Sequence, residues 1–422
     1  MEFKPSLHKL SNGVTVILDP MDLETVAIKI RFTTGSRDET PDIHGITHFC
    51  EHMLVKGTKR FPSRKELKDH IENMGGTFNA ATSTTSLKLY GRIIAENTHE
   101  LLTVFADILQ NSLFDEKRIE IERGVIMDES RASHGSNSRK FMDFIDRNLF
   151  GYSIFDTIGS NENIKSFSRA QMLDWLHKRL SAKNCVIAIS GRIDDADALL
   201  KKLQELFAFL PEHDVSTNHG FQYTPCDKFL HEPSLKNVWI NILFPFIRPD
   251  TFENMRKTIA ESKFQKFLSQ ELNEVVRQQN GWVYGIGVSG YQIDNNGVRC
   301  IDTETAPENI ERAVALIAQT AYRVYSDNKI TDAILAQYYN RHKLTEADFL
   351  ESATNRRDIL IGHYCDFGRI YDFKALCEMD RTITVDEVVA ASRGFFNDPM
   401  SIITFGPEHN VDLRKVWIDN FK

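Results

Sequence analysis

One pattern occurs twice in this chain, 215 residues apart. Ser168 to Leu180 reads as a helix and leads into the apolar strand Asn184-Cys185-Val186-Ile187-Ala188-Ile189-Ser190, which ends on Gly191. Val385 to Phe396 repeats the helix, and Met400-Ser401-Ile402-Ile403-Thr404-Phe405 repeats the strand, ending on Gly406. Solenoid units recur every 20–50 residues or so, so this period suits a duplicated domain instead. A chain of 422 residues is also longer than one core usually fills, so two domains are expected, 1–212 and 213–422. The polar run Leu210 to Gly220, with its Pro, Asn and Gly, is the natural linker. Runs of strands followed by runs of helices make the fold class α+β.

A net charge of −8 argues against a general nucleic-acid binder. No run approaches the roughly 18–20 apolar residues that a membrane-spanning helix needs. The first residues, Met1-Glu2-Phe3-Lys4-Pro5, form neither an apolar signal core nor an Arg-rich amphipathic helix, so a cytoplasmic protein is expected. The six cysteines are scattered without a Cys-x-x-Cys pair, which favours free buried thiols over a disulfide framework.

In chain order, Ser11-Asn12-Gly13 marks a hairpin between Leu7–Leu10 and Val14–Leu18. Thr25 to Thr33 alternates with period two and predicts a half-buried strand. Next comes Gly45-Ile46-Thr47-His48-Phe49-Cys50-Glu51-His52-Met53-Leu54. In a helix, His48 and His52 share one face a turn apart and can hold one zinc ion at Zn–N distances of roughly 2.0–2.1 Å. Glu51, beside the second histidine, is placed to take a proton from a water rather than to bind the metal. Phe49, Met53 and Leu54 give the helix an apolar face. Cys50 is offset from the histidine face and reads as packing. Two unrelated surface histidines would fit a lone pair, but His-x-x-Glu-His is a peptidase signature. His44 falls four before His48, yet Gly45 starts the helix, so His44 is expected in solvent.

A catalytic zinc needs a third protein ligand. Glu122 and Glu129 lie seven residues apart on one face of a predicted helix, Glu116 to Arg131. On the residues alone, either also fits a solvated helix face. Ser133 to Ser138 reads as a polar loop before a further helix, Arg139 to Phe150. Ser63-Arg64-Lys65-Glu66 is a capping box for a helix that Gly75-Gly76 stops.

His-x-x-Glu-His followed by Glu-x6-Glu resembles the pitrilysin/insulinase zinc peptidases, the inverzincins, in their processing-peptidase-like branch. Gly35-Ser36-Arg37-Asp38-Glu39 before the motif and Lys56-Gly57-Thr58 after it are similar to that family's wording. The resemblance implies two homologous domains, each an antiparallel-rich sheet packed against helices, with metal ligands in the first alone. It implies one Zn²⁺ on His48, His52 and Glu129, Glu51 as general base, and Glu122 behind the ligands. It also implies that Asn79 and Ala80, in Phe78-Asn79-Ala80-Ala81-Thr82, lie on an edge strand that pairs with an extended peptide. Arg277 and Tyr284 match the family's Arg-x6-Tyr pair, donors to a substrate carbonyl or oxyanion, although Gly-Trp-Val-Tyr replaces the usual Gly-Leu-x-Tyr. Without the family, Asn79 is a turn residue, and Arg277 and Tyr284 are a helix-terminal cation and a core aromatic. The corresponding stretch of the second half, Ser262 to Glu271, has no histidine.

The implied function is zinc-dependent endopeptidase action on unfolded peptides within an enclosed chamber. A homodimer is expected, with a heterodimer of related chains as the other assembly. Two alternatives stand beside it: a non-catalytic partner subunit, and a maturation peptidase dedicated to one peptide precursor.

Overall fold

The computed structural model describes residues 3–153, 156–217, 221–247, 252–293, 296–327, 329–396 and 399–422. They form two compact units, each drawn mostly from one half of the chain and each borrowing a segment from the other half. The first comprises Met1–Lys140, Ile154–Asn218 and Thr345–Ile370; the second, Phe141–Ser153, His219–Leu344 and Tyr371–Lys422.

The first unit is built on six strands: β1 (Ser6–Lys9), β2 (Thr15–Pro20), β3 (Thr25–Phe32), β4 (Thr77–Thr82), β5 (Leu87–Ile94) and β6 (Cys185–Gly191). Their order is β1-β2-β6-β3-β5-β4, antiparallel throughout except for the parallel pair β2 and β6. The hairpin turns as its Asn-Gly demands, with Gly13 N–H donating to Leu10 O at 2.9 Å. Residues of helices Ile46–Leu54, Thr98–Asn111, Arg169–Arg179 and Ala196–Phe207 join this sheet in the main core.

Strand β3 departs from expectation. Its period-two pattern predicts one wet face; Val26, Ile28, Ile30 and Phe32 fill the buried face, but on the other face Ala27 is buried too and Lys29 and Arg31 are only partly exposed. Helix Ala353–Phe367, from the far end of the sequence, packs on β3 and β6 and closes the second face. Lys29, which the pattern would put in water, pairs there with Asp358 at 2.5 Å. Strand β4 is hydrogen-bonded to β5 alone and is therefore an edge. Ser63 caps the helix that follows, its Oγ accepting from Glu66 N–H at 3.2 Å, but the expected capping box is only half made: Glu66 Oε2 accepts from the Ser63 hydroxyl at 2.8 Å instead of from its backbone N–H.

The expected loop at Ser133–Ser138 is mostly helix. Helix Glu116–Gly135 runs through it, and Asn137–Phe150 begins two residues later. His134 stabilises that last turn, with Nδ1 3.0 Å from Ser130 Oγ and Nε2 3.2 Å from Asp156 Oδ2.

The second unit carries β7 (Asp227–His231), β8 (Val238–Ile247), β9 (Ile286–Ile293), β10 (Asn296–Thr305) and β11 (Ser401–Gly406). Their order is β7-β11-β8-β10-β9, with β7 and β11 parallel and the other pairs antiparallel. One face packs against residues of helices Phe252–Leu272, Ile310–Ser326 and Val385–Phe395. Phe141, Ile145 and Leu149 cluster with Leu243, Val298, Ile403 and Phe405, so this unit too is covered by a helix from the other half. The repeated glycine has one cause in both units. Gly191 and Gly406 end β6 and β11 at φ 133° and 148°, where a Cβ would lie 2.2 Å from Thr25 O and 2.7 Å from Asn237 O. Among the described residues, no helix is long and apolar enough to cross a membrane.

Candidate metal centre

The His48 helix is held from three sides. Its start at Gly45 is capped by Glu39, whose two oxygens accept from the backbone N–H of Gly45 at 2.7 Å and of Thr47 at 2.8 Å. Ile46, Phe49, Cys50, Met53 and Leu54 are buried in the core. Thr47 Oγ1 accepts from Trp175 Nε1 at 3.0 Å, and Cys50 points its thiol at Met172 O, 3.5 Å away. The remaining face presents His48 and His52, ring centres 4.6 Å apart.

Helix Glu116–Gly135 lies against this helix, anchored by buried Ile119 and Ile126. Glu129 Oε1 is 3.9 Å from His48 Nε2, and Glu129 Oε2 is 3.7 Å from His52 Nε2. One ligand atom from each of the three residues falls within 4.8 Å of the others. Two turns earlier, Glu122 Oε2 sits 3.2 Å from His52 Nδ1, and Lys56 Nζ holds the other carboxylate oxygen at 2.6 Å. That bond fixes Nδ1 of His52 as the protonated nitrogen and leaves the Nε2 lone pair facing Glu129.

This donor set fits zinc. Two imidazole nitrogens and a carboxylate are the chemistry of a catalytic site, and a tetrahedral ion with bonds of about 2 Å separates its ligand atoms by roughly 3.3 Å. Burial and the neighbouring His52 push His48 down to about 3, so its ring is a neutral donor at physiological pH. Burial opposes charge on Glu122 as well, but hydrogen bonds from His52 and Lys56 outweigh it and hold that carboxyl below its ordinary range. Glu51 is shifted the other way, upward, chiefly by burial and also by Glu129, with His52 and Arg64 opposing. A carboxylate raised in this way is a better proton acceptor.

His48, Glu51, His52 and Glu129 open onto one cavity of about 510 Å³, whose wall also includes Arg64, Asn79, Ala80, Thr157 and Ile158. Asn79 and Ala80 come from the edge strand β4, where Asn79 Nδ2 donates to Tyr90 Oη at 3.4 Å. Arg277 and Tyr284 belong to the second unit and do not line this cavity. Arg277 is exposed on a π-helical turn, Asn273–Gln279, that continues Phe252–Leu272; Tyr284 is 80% exposed and so is no core residue.

His44 requires a correction. It is not in solvent: its side chain is 13% exposed, with Nδ1 3.1 Å from Glu39 Oε2 and Nε2 3.5 Å from Asp156 Oδ2. Asp156 also meets His134, and Arg139 Nη2 at 3.4 Å, while its Oδ1 accepts from the N–H of Ile158 at 3.2 Å and of Gly159 at 3.3 Å. It thereby positions the loop that forms one cavity wall. Sequence reasoning missed Asp156 and Arg64, because no local pattern distinguishes either from a surface charge.

Residues 15–152 match the sequence profile described as Insulinase (Peptidase family M16), and residues 166–341 the one described as Peptidase M16 inactive domain. A protein named an uncharacterized zinc protease from Rickettsia bellii (strain RML369-C) is 26% identical over 413 residues, covering 96% of this chain and 98% of its own. A probable mitochondrial-processing peptidase subunit beta of Arabidopsis thaliana is 32% identical over 212 residues, 50% of this chain and 40% of that one. Among solved structures, a protease from Helicobacter pylori shares the fold at a TM-score of 0.81 and 17% identity, over 96% of this chain and all of the other.

Proposed function

Because this chain belongs to the insulinase family of zinc peptidases (M16), we propose that it is an endopeptidase that cuts unfolded peptides at the His48, His52 and Glu129 centre. The observation that carries the reading is the convergence of those three donors with Glu51 on one cavity. Zinc held there supplies a Lewis acid for the scissile carbonyl and brings the pKa of a water near 7. Glu51 takes the proton of the attacking water on its carboxylate and returns it to the departing amine, so acid and base work fall to one group. Glu122 keeps His52 in the tautomer that offers Nε2. The free edge of β4 at Asn79 and Ala80 receives the substrate as an added strand, through main-chain hydrogen bonds.

In this reading the two halves of the sequence, 1–212 and 213–422, are the two domains. The working enzyme is a homodimer that encloses a chamber, and Arg277 and Tyr284 of one copy serve the metal centre of the other as donors to the substrate carbonyl. Replacing Glu51 with Gln should leave about one zinc per chain while peptide hydrolysis is lost. Replacing His48, His52 or Glu129 with Ala should lose the zinc as well. Metal analysis beside cleavage of a mixed peptide library checks both. An active Glu51→Gln enzyme would overturn the base, and full zinc content in His48→Ala would overturn the site.

A further inference from the structure

We infer that Arg64 selects the substrate: its guanidinium receives a carboxylate of the peptide close to the bond that is cut. The inference rests on the peptidase reading above. Arg64 is the first residue of helix Arg64–Asn73, and it lines the same cavity as His48, Glu51, His52 and Glu129. Its charge acts on Glu51 across that cavity.

The other charged side chains of this helix have partners. Lys65 pairs with Asp69, Lys68 with Glu72 at 3.4 Å, His70 with Glu100 at 2.7 Å, and Glu66 with Ser63 at 2.8 Å. Arg64 is different: among the described residues its guanidinium has neither a hydrogen-bond partner nor an ion-pair partner. Its position is also unfavourable for stability, since a cation in the first turn faces the positive end of the helix dipole. Apart from its attraction to Glu51 across the cavity, the exposed cation has no charged partner in its own fold among the described residues. The remaining acidic groups of the cavity are committed, Glu51 to proton transfer and Glu129 to ligation. What the arrangement lacks is an anion, and a planar five-donor fork suits a carboxylate. In a peptide that carboxylate is either a Glu or Asp side chain flanking the scissile bond or the chain's own C-terminus.

The test is a peptide panel of one sequence. Each position within three residues of the cut carries Glu, Gln or Lys in turn, and each peptide is made with a free and an amidated C-terminus. A charge-assisted hydrogen bond in such a site corresponds to a preference on the order of 10–100-fold in kcat/KM. The wild type should show that preference for Glu over Gln at one position if a side chain is read, or for the free over the amidated terminus if the terminus is read. Arg64→Glu should reverse it, favouring Lys or the amidated end at the same place. This variant should fold, because an acid in the first helical turn is favourable; circular dichroism and zinc content confirm it. A wild type that cuts peptides without regard to charge overturns the inference alone. So does an Arg64→Glu enzyme that keeps the acidic preference, or one whose pH profile shifts equally for every peptide, since Arg64 would then act only through Glu51. A wild type that cuts no member of the panel overturns the peptidase reading, and the inference with it.

Discussion

Glu122 grips His52 from behind, its Oε2 3.2 Å from Nδ1, while Lys56 neutralises the other oxygen from 2.6 Å. The carboxylate thus orients the ring and raises the basicity of Nε2 without touching the metal position. Carboxylates in this role typically contribute 10–100-fold in metal affinity, so Glu122→Gln should weaken zinc binding by about that factor. A chelator competition titration measures it, and unchanged affinity would show that the bond is only structural.

The shared-site model makes a sharper demand. Glu51→Gln and Arg277→Ala should each be nearly inactive alone. Mixed and allowed to exchange subunits, they should recover activity, because some dimers then carry one site with both groups intact. Donors of this kind are worth roughly 10²–10³ in rate, so the recovery lies well above background. No recovery after demonstrated exchange would sink the model, as would full activity from a strictly monomeric preparation.

The His44 cluster predicts a pH dependence. Burial favours the neutral ring, but hydrogen bonds to Asp156 and Glu39 outweigh it and raise His44 from 6.5 to about 9. A group whose folded pKa is raised contributes stability that is complete below the unfolded value, here 6.5, and disappears as pH climbs through the folded one. Metal-free protein should therefore lose stability between pH 6.5 and 9, by up to about 3 kcal/mol. Asp156 works in the opposite sense: His134 and His44 hold it well below its ordinary range despite burial, so its share is lost on acidification below pH 3.8. Urea unfolding across this range should show the alkaline loss in the wild type and a flat curve in His44→Gln. Parallel curves would refute the assignment.

Asp19 and Arg356 form a pair with no solvent exposure at either side chain, joining strand β2 to a helix 337 residues further along the chain. Arg356 Nε donates to Asp19 Oδ2 at 2.7 Å, and Phe3 covers the guanidinium at 5.0 Å. Removing one partner strands a buried charge, so Asp19→Ala should destabilise the protein by about 3–5 kcal/mol. Asp19→Leu combined with Arg356→Met should regain most of that loss, because no charge is then left unpaired. Equal damage from the single and double replacements, read from denaturant midpoints, would contradict this.

Short-range features were legible in the sequence because backbone geometry sets them within a few residues. The 3.6-residue turn puts His48 and His52 on one face whatever surrounds them. Ser63 caps the helix that follows, since a side-chain oxygen needs only the next turn's N–H. The doubled glycine announced two units of one design, because both strands end where a neighbouring carbonyl leaves no room for a Cβ. Long-range choices were not legible. Glu122 and Glu129 are interchangeable by spacing, and only the packing of their helix brings the first to Nδ1 of His52 and the second to Nε2. His44 meets Asp156 across 112 residues, Arg64 reaches the cavity by the lie of its helix, and the second face of β3 is covered by a helix from the other half. Spacing along a chain determines which residues share a face. Burial and packing between distant segments decide what that face meets.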